Sequence, residues 1–363
     1  MTTTDAHSWI GVEGYPHRMA GHCGSGALRD LLEWAGLSWS GEPLSEGTVF
    51  GLGGSLSFSY LRGPGLGSPF YLVGRGSGLT ESLTARLGIA GAAQDTDDPD
   101  EGRAWLHREL DAGRPLLCWA DMSELPYLRV RMQMSRHDIV VTGYEPDGHQ
   151  VRVIDNDRAE PQIIPAAALA AARSSTGFPT PTRHTCYPMR FPDSLPDQRV
   201  AAASACAHAA QSMTTPADDD TVTTPGAHAA GHGLDGVATF LADLEAWPDV
   251  LARTAETSEQ DLHTALITLA VFIEKAGTGG GLFRRLQAQF LAELTDLDER
   301  ARPAATIYDE LAGTWSALAA RAGDKTASAT TRWRDVRDRA RRLPELETDG
   351  AHHLRDLARA LTA

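Results

Sequence analysis

Residues 21–36 read GHCGSGALRDLLEWAG, and the single cysteine among small residues decides how the rest of the chain is read. The run LRDLLEWAG carries its apolar residues at helical spacing, which puts Cys23 in the first turn of a helix. Unpaired backbone N–H groups and the positive end of the helix dipole meet at such a position, and both favour a thiolate. The place suits a nucleophile.

A thiol nucleophile needs a base to take its proton, and imidazole is the usual one. His137 heads the β-rich stretch SRHDIVVTGY, and HQVRVI after the turn EPDG runs into DND, which carries Asp155. Pro fixes φ and Gly tolerates positive φ, so EPDG is a turn and 138–144 pairs with 149–154 as a hairpin. Two antiparallel strands on a tight turn bring the start of one beside the end of the other. His137 and Asp155 are therefore expected as neighbours. Cys, then His on a strand, then Asp at the end of the next strand is the chain order of papain-like thiol enzymes, in which the third residue fixes the imidazole tautomer. His22, next to the cysteine, either helps shape an oxyanion site or points away. Upstream, RPLLCWADM (114–122) reads as a buried strand and Gly102–Ala112 as an amphipathic helix before it.

The bulk properties frame this reading. A chain of 363 residues with 42% hydrophobic content has room for two domains. A net charge of -15 excludes a general nucleic-acid binder, which needs an excess of Arg and Lys to neutralise phosphate. Cys23, Cys118, Cys186 and Cys206 form no CxxC and no repeated spacing, so free thiols are expected, with no disulfide framework, no metal site and no bound cofactor. The N-terminus has neither a basic flank nor an apolar run, and no window reaches the roughly 20 apolar residues that span a bilayer. A cytoplasmic protein without membrane partners follows. The fold expected is α/β (α+β): a papain-like domain over 1–200, a flexible linker over the small, polar 201–233, and an all-α helical bundle over 234–363.

Two glycine-rich stretches raise separate questions. SEGTVFGLGGSLSFSYL (45–61) lacks both the Walker and the Rossmann fingerprint. It reads as a Gly-bent loop entering a strand, with Gly53 and Gly54 admitting a substrate chain and Glu46 as a polar contact. In FIEKAGTGGGLFRR (272–285) Glu274 stands at a helix end and Arg284 at a helix start. Either the turn is an interhelical corner with a surface salt bridge, or it closes over the thiol and lends Glu274 or a backbone N–H to it.

GHCGSGALRDLLEWAG, SEGTVFGLGG, SFSYL, RHDIVVTGY and VIDND together resemble the N-terminal domain of the butirosin biosynthesis protein H family. WPDVL, FIEKAGTGGGLFRRLQAQFL and YDELAGTWSALA resemble its helical companion domain. The resemblance implies a papain-like fold and an acyltransferase that moves an amino-acyl group from a carrier-protein thioester to an aminoglycoside amine. Related condensing enzymes join amino acid and aminosugar in lincosamides. Carried over to this chain, it implies Cys23 as nucleophile and His137 as base and acid, with either Asp155 or Glu274 as the third residue. Substrate contacts would fall to His22, Gly24, Glu46, Gly53, Gly54 and Arg284, the glycines around Cys23 leaving room for a phosphopantetheine-borne acyl group. No glutamine precedes Cys23 in residues 1–22, so the usual glutamine donor to the oxyanion is missing and the Cys23 N–H must do more of that work.

The implied partners are an acyl or peptidyl carrier protein and a small-molecule amine. TTRWRDVRDRARRLPE (330–345) offers Arg332, Arg334, Arg337, Arg339, Arg341 and Arg342 as a docking face, or is a solvated helix balanced by Asp335 and Asp338. The apolar helical part would allow a homodimer. Two alternatives stay beside the transferase: a hydrolase of the same fold, and a non-catalytic module that binds a carrier protein or metabolite.

Overall fold

Strands His137–Tyr144 and Gln150–Ile154 pair antiparallel, with Val140 opposite Ile154 and Tyr144 opposite Val151. The turn between them is the one EPDG dictates: Gly148 takes φ 73° and its N–H donates to Glu145 O. This computed structural model describes residues 9–66, 68–130, 133–215, 228–251 and 258–363. The fold is mixed α/β, and the chain divides into two units, residues 1–44 with 88–195 and residues 45–87 with 196–363.

In the first unit the hairpin sits inside an antiparallel sheet, in the order Gln162–Pro165, Gln150–Ile154, His137–Tyr144, Leu116–Ala120, Cys186–Tyr187. Ile10–Gly11 pairs with the far end of His137–Tyr144. Ile139, Val140 and Val141 are all fully buried, so this strand is covered on both faces. Helix Cys23–Trp34 packs on it. Leu106 and Leu110 of helix Pro99–Asp111 share a core with Leu116, Ile139 and Val141. That helix begins earlier than its apolar period suggests, because Asp98 caps it by accepting from Asp100 N–H and Pro99 opens its first turn.

The second unit contains helices and a three-stranded antiparallel sheet, Tyr71–Arg75, Leu56–Arg62, His228–His232. Its core is aromatic. Phe70 stacks on Trp247 with ring centroids 5.1 Å apart, and Phe58 on Trp315 at 6.0 Å. Burying each such ring contributes about 1.5–3 kcal/mol.

Three expectations are corrected here. The linker expected over 201–233 contains helix Gln198–Thr214, in which Ala201, Ala202, Ala203, Ala205, Cys206 and Ala209 are buried. The helix does have an exposed stripe, Val200, Ser204, Ala207 and Gln211, but with Val and Ala outside and mostly Ala inside the two faces differ little in hydrophobicity, so a low-contrast sequence concealed a core element. Residues 216–227 of that stretch lie outside the described residues. The unit boundary also differs from the one expected near residue 200, because Ser45–Leu87 belongs with the C-terminal helices.

The Gly-bent loop is the third correction. Glu46–Gly53 is a helix, capped by Ser45 and ended by Gly54 at φ 61°. Its glycines serve helix packing: a Cβ on Gly51 would meet Phe290 Cγ at 2.0 Å, and one on Gly53 would meet Leu79 Cδ1 at 2.2 Å. Among the described residues no helix is long and apolar enough to cross a membrane.

Candidate active site

Cys23 is the first residue of helix Cys23–Trp34, and His22 is its cap. His22 is buried, and its Nδ1 accepts from Ser25 N–H at 3.2 Å and lies 3.0 Å from Ser25 Oγ. The histidine therefore does the work usually left to Ser, Thr, Asp or Asn. Gly26 is small for a local reason, since a Cβ there would meet Ala20 Cβ at 2.5 Å. The space at this glycine is filled by the protein's own loop, which corrects the expectation that it leaves room for a substrate arm.

That loop is tied to the turn after the hairpin. Ala20 N–H donates to Asn156 O at 3.1 Å, and Asn156 Nδ2 donates to Ala20 O at 2.9 Å. Asp155, next to Asn156, accepts from His137 Nε2 at 2.7 Å and from Tyr127 Oη at 2.8 Å on Oδ2, and from Asp157 N–H at 3.1 Å on Oδ1. The pair is deeply buried, at 6% exposure for the His137 side chain and 0% for Asp155. With Nε2 committed to Asp155, Nδ1 is the ring nitrogen left over, and Cys23 is near enough to favour the charged form of His137.

The electrostatics follow from burial and this contact. Burial works against a charged His137, but the Asp155 carboxylate outweighs it, with Cys23 adding to the effect, and holds the ring well above the ordinary imidazole range. Burial also works against the Asp155 charge, and His137 together with the Asp157 and Tyr127 donors brings that carboxyl below its ordinary value. The Tyr127 hydroxyl is pushed up by burial and by Asp155, so it stays a donor. The thiol has an acidic neighbour as well: Cys23 Sγ lies 3.9 Å from Asp138 Oδ2. Beside Asp138 in the register is Trp119, and the Arg136 guanidinium sits over its ring at 4.4 Å.

Residues 22–156 match the family model described as butirosin biosynthesis protein H, N-terminal, a span that runs from the cap His22 to Asn156 and takes in Cys23, His137 and Asp155. Residues 167–354, more than half of the chain, match a second model, a domain of unknown function (DUF4872). The chain belongs to the family of this second domain, and its first part is similar to the butirosin biosynthesis protein H N-terminal domain. The second match begins inside helix Ala166–Arg173 of the first unit, so the family boundary and the boundary between structural units differ. A search of curated proteins gives no match.

The remaining expected site residues have other employments. Gly24 is buried in the first turn of the cysteine helix. Glu46, Gly53 and Gly54 lie in the second unit, Glu46 in the first turn of helix Glu46–Gly53 and Gly54 as its end. Glu274, the alternative third residue, is also in that unit, where its Oε1 accepts from Gly281 N–H at 3.1 Å and Ser316 Oγ at 2.5 Å. The carboxylate on His137 is Asp155.

Arg284 is fully buried and gives Nε and Nη2 to Glu347, at 2.9 and 3.1 Å, and Nη1 to Gly74 O and Leu282 O. Neither a surface salt bridge with Glu274 nor a substrate contact is left to it. In the arginine-rich helix Ala329–Ala340, Arg332 is buried and bonded to Ala322 O and His263, while Arg337 pairs with Asp338 and Glu245. Arg342, just beyond it, pairs with Glu310. Arg341 pairs with Glu245 and Asp338, while Arg334 and Arg339 are exposed.

Composition and spacing gave no pointer to Tyr127, Asp138 or Asn156. Tyr127 lies in irregular chain, and Asp138 and Asn156 stand next to residues already singled out. A polar residue adjacent to each proposed catalytic position was the available signal.

Proposed function

We propose that the protein is a cysteine-dependent acyltransferase acting in the cytoplasm, which takes an amino-acyl group from a carrier-protein phosphopantetheine thioester and passes it to an amine. The observation that carries the reading is the relay itself, Cys23 at a helix start, His137 beside it and Asp155 at 2.7 Å on the far ring nitrogen. The family adds its weight through its tie to antibiotic biosynthesis.

In the first half, with the thiol proton held on His137, Sγ attacks the thioester carbon, and that proton leaves on the departing pantetheine sulfur. Thioester exchange is close to thermoneutral, so little assistance to the leaving group is needed. In the second half a neutral amine attacks the acyl-enzyme, its proton passes to His137, and His137 returns it to Sγ as the C–S bond breaks. The developing oxyanion would face the helix start. There the Ser25 and Gly26 N–H groups are already engaged by His22, leaving those of Cys23 and Gly24 as donors.

Intact-mass measurement after incubation with a charged carrier protein tests this. The expected result is an acyl adduct on the wild type, none on Cys23→Ala, and release of the adduct that depends on added amine. Release that proceeds as fast without amine would make the protein a hydrolase. Consumption of the thioester by both proteins without any adduct would end the covalent reading.

A further inference from the structure

Upstream of the nucleophile, His17 is held at both ring nitrogens. Nδ1 lies 2.8 Å from Asp30 Oδ2, and Nε2 lies 2.6 Å from the backbone oxygen of Arg158. The side chain is 6% exposed and that of Asp30 2%. A carboxylate oxygen and a carbonyl oxygen only accept, and a neutral imidazole has one N–H, so making both bonds requires a ring protonated at both nitrogens. We infer that His17 is a standing imidazolium that positions the segment leading to Cys23, fastening it to the nucleophile helix through Asp30 and to the Asp155-bearing turn through Arg158.

The surroundings support a fixed cation. From helix Cys23–Trp34 come Asp30, Arg29 and Glu33. Asp30 Oδ1 accepts from Arg29 Nε at 2.9 Å, Arg29 Nη2 donates to Arg18 O at 2.5 Å, and Glu33 is paired with Arg18 at 2.7 Å. One carboxylate thus lies between two cations, and both cations hold the segment ahead of the cysteine. The hydroxyl of Tyr15, also on that segment, is buried and is pushed up by burial and by Asp30, so it brings no charge. From the turn come Arg158 and Asp157. The Arg158 guanidinium is spent on Asp157 and Tyr127 O, so it does not compete for Asp30. Burial opposes the charge on His17, but Asp30 and the Arg158 carbonyl outweigh it and raise the ring above its ordinary 6.5.

The consequence is a clamp that opens on the alkaline side. A deprotonated His17 keeps one of its two bonds and releases the other, which loosens the Ala20–Asn156 contact next to the nucleophile. His17 touches no reacting atom; it is a positioning residue, and the inference stands whatever reaction Cys23 performs.

Nitrogen-resolved NMR of the histidine rings in the full chain at pH 7 is expected to find both His17 nitrogens protonated and to see one proton lost above pH 6.5. Amide hydrogen exchange, corrected for the intrinsic effect of pH, is expected to lose about tenfold protection at Ala20 across that titration, as the loss of one bond to a charged group requires. In His17→Gln, which offers one donor and no charge, Ala20 protection should be low and independent of pH. A bare ring nitrogen on wild-type His17 at pH 7 overturns the inference. So does an Ala20 protection in the variant equal to wild type at pH 7.

Discussion

Asp155→Asn keeps the shape of the carboxylate and removes its charge from a position 2.7 Å from His137 Nε2. Asp155 Oδ2 accepts from both His137 and Tyr127, and Oδ1 from Asp157 N–H, so every contact calls for an acceptor. An amide must turn its NH2 toward one of them. Facing His137, it forces Nε2 to accept and puts the ring proton on Nδ1, the nitrogen meant for the thiol, which is the wrong tautomer for a base. Even in the other orientation the imidazolium loses its counter-charge, worth about 4 kcal/mol for a pair some 4 Å apart at an effective dielectric of about 20. That is about a thousandfold in the equilibrium for proton transfer from Cys23 to His137. The readout is the rate of Cys23 alkylation by iodoacetamide at pH 7, followed by intact mass. An ordinary cysteine retains a few per cent of thiolate at that pH, so the observable fall is capped at about thirtyfold. A folded Asp155→Asn protein whose alkylation stays within about threefold of wild type would refute the relay, because the energy removed exceeds what such a rate allows.

Arg284→Ala leaves Glu347 charged and fully buried, so chemical denaturation should report a loss of about 3–5 kcal/mol, with alkylation of Cys23 per folded molecule unchanged. Gly51→Ala drives a methyl into the Phe290 ring, and the resulting strain should cost about 1–3 kcal/mol, read as a lower Tm. Both His137 and His17 have folded pKa values above 6.5, so their contribution to stability is complete below that pH and is lost as pH rises through the folded values. Urea unfolding should accordingly show stability falling on the alkaline side, with a smaller slope in Asp155→Asn. At the acid end, burial opposes the Glu109 charge but Arg190 and Arg114 outweigh it and hold the group at about 2, so its contribution is lost as pH falls from 4.5 toward that value, measurable as an attenuated acid loss in Glu109→Gln.

Much of the site could be read from sequence because its pieces are locally determined. Cys23 at a helix start follows from the apolar spacing after it, and the meeting of His137 with Asp155 follows from two short strands joined by a Pro-Asp-Gly turn. Both need only contacts close along the chain. The cap by His22 was not legible, because histidine seldom caps and the role depends on its ring reaching Ser25. Helix Gln198–Thr214 escaped because periodicity measures contrast in hydrophobicity between faces, and here Ala and Val stand on the exposed stripe as Ala does on the buried one.

The sequence by itself determined the candidate residues: one cysteine at a helix N-terminus, one histidine at a strand head, and a choice between two carboxylates. Tertiary structure decided between them, placing Asp155 on the ring and engaging Glu274 with Gly281 and Ser316. It also turned two apparent site features into packing, the glycines of 47–53 by bringing Phe290 and Leu79 against them, and Arg284 by burying it on Glu347. The physical reason is the same in each case. Propensity and turn chemistry act along the chain, whereas a charge or a missing side chain takes its meaning from whatever the fold brings within a few ångströms of it.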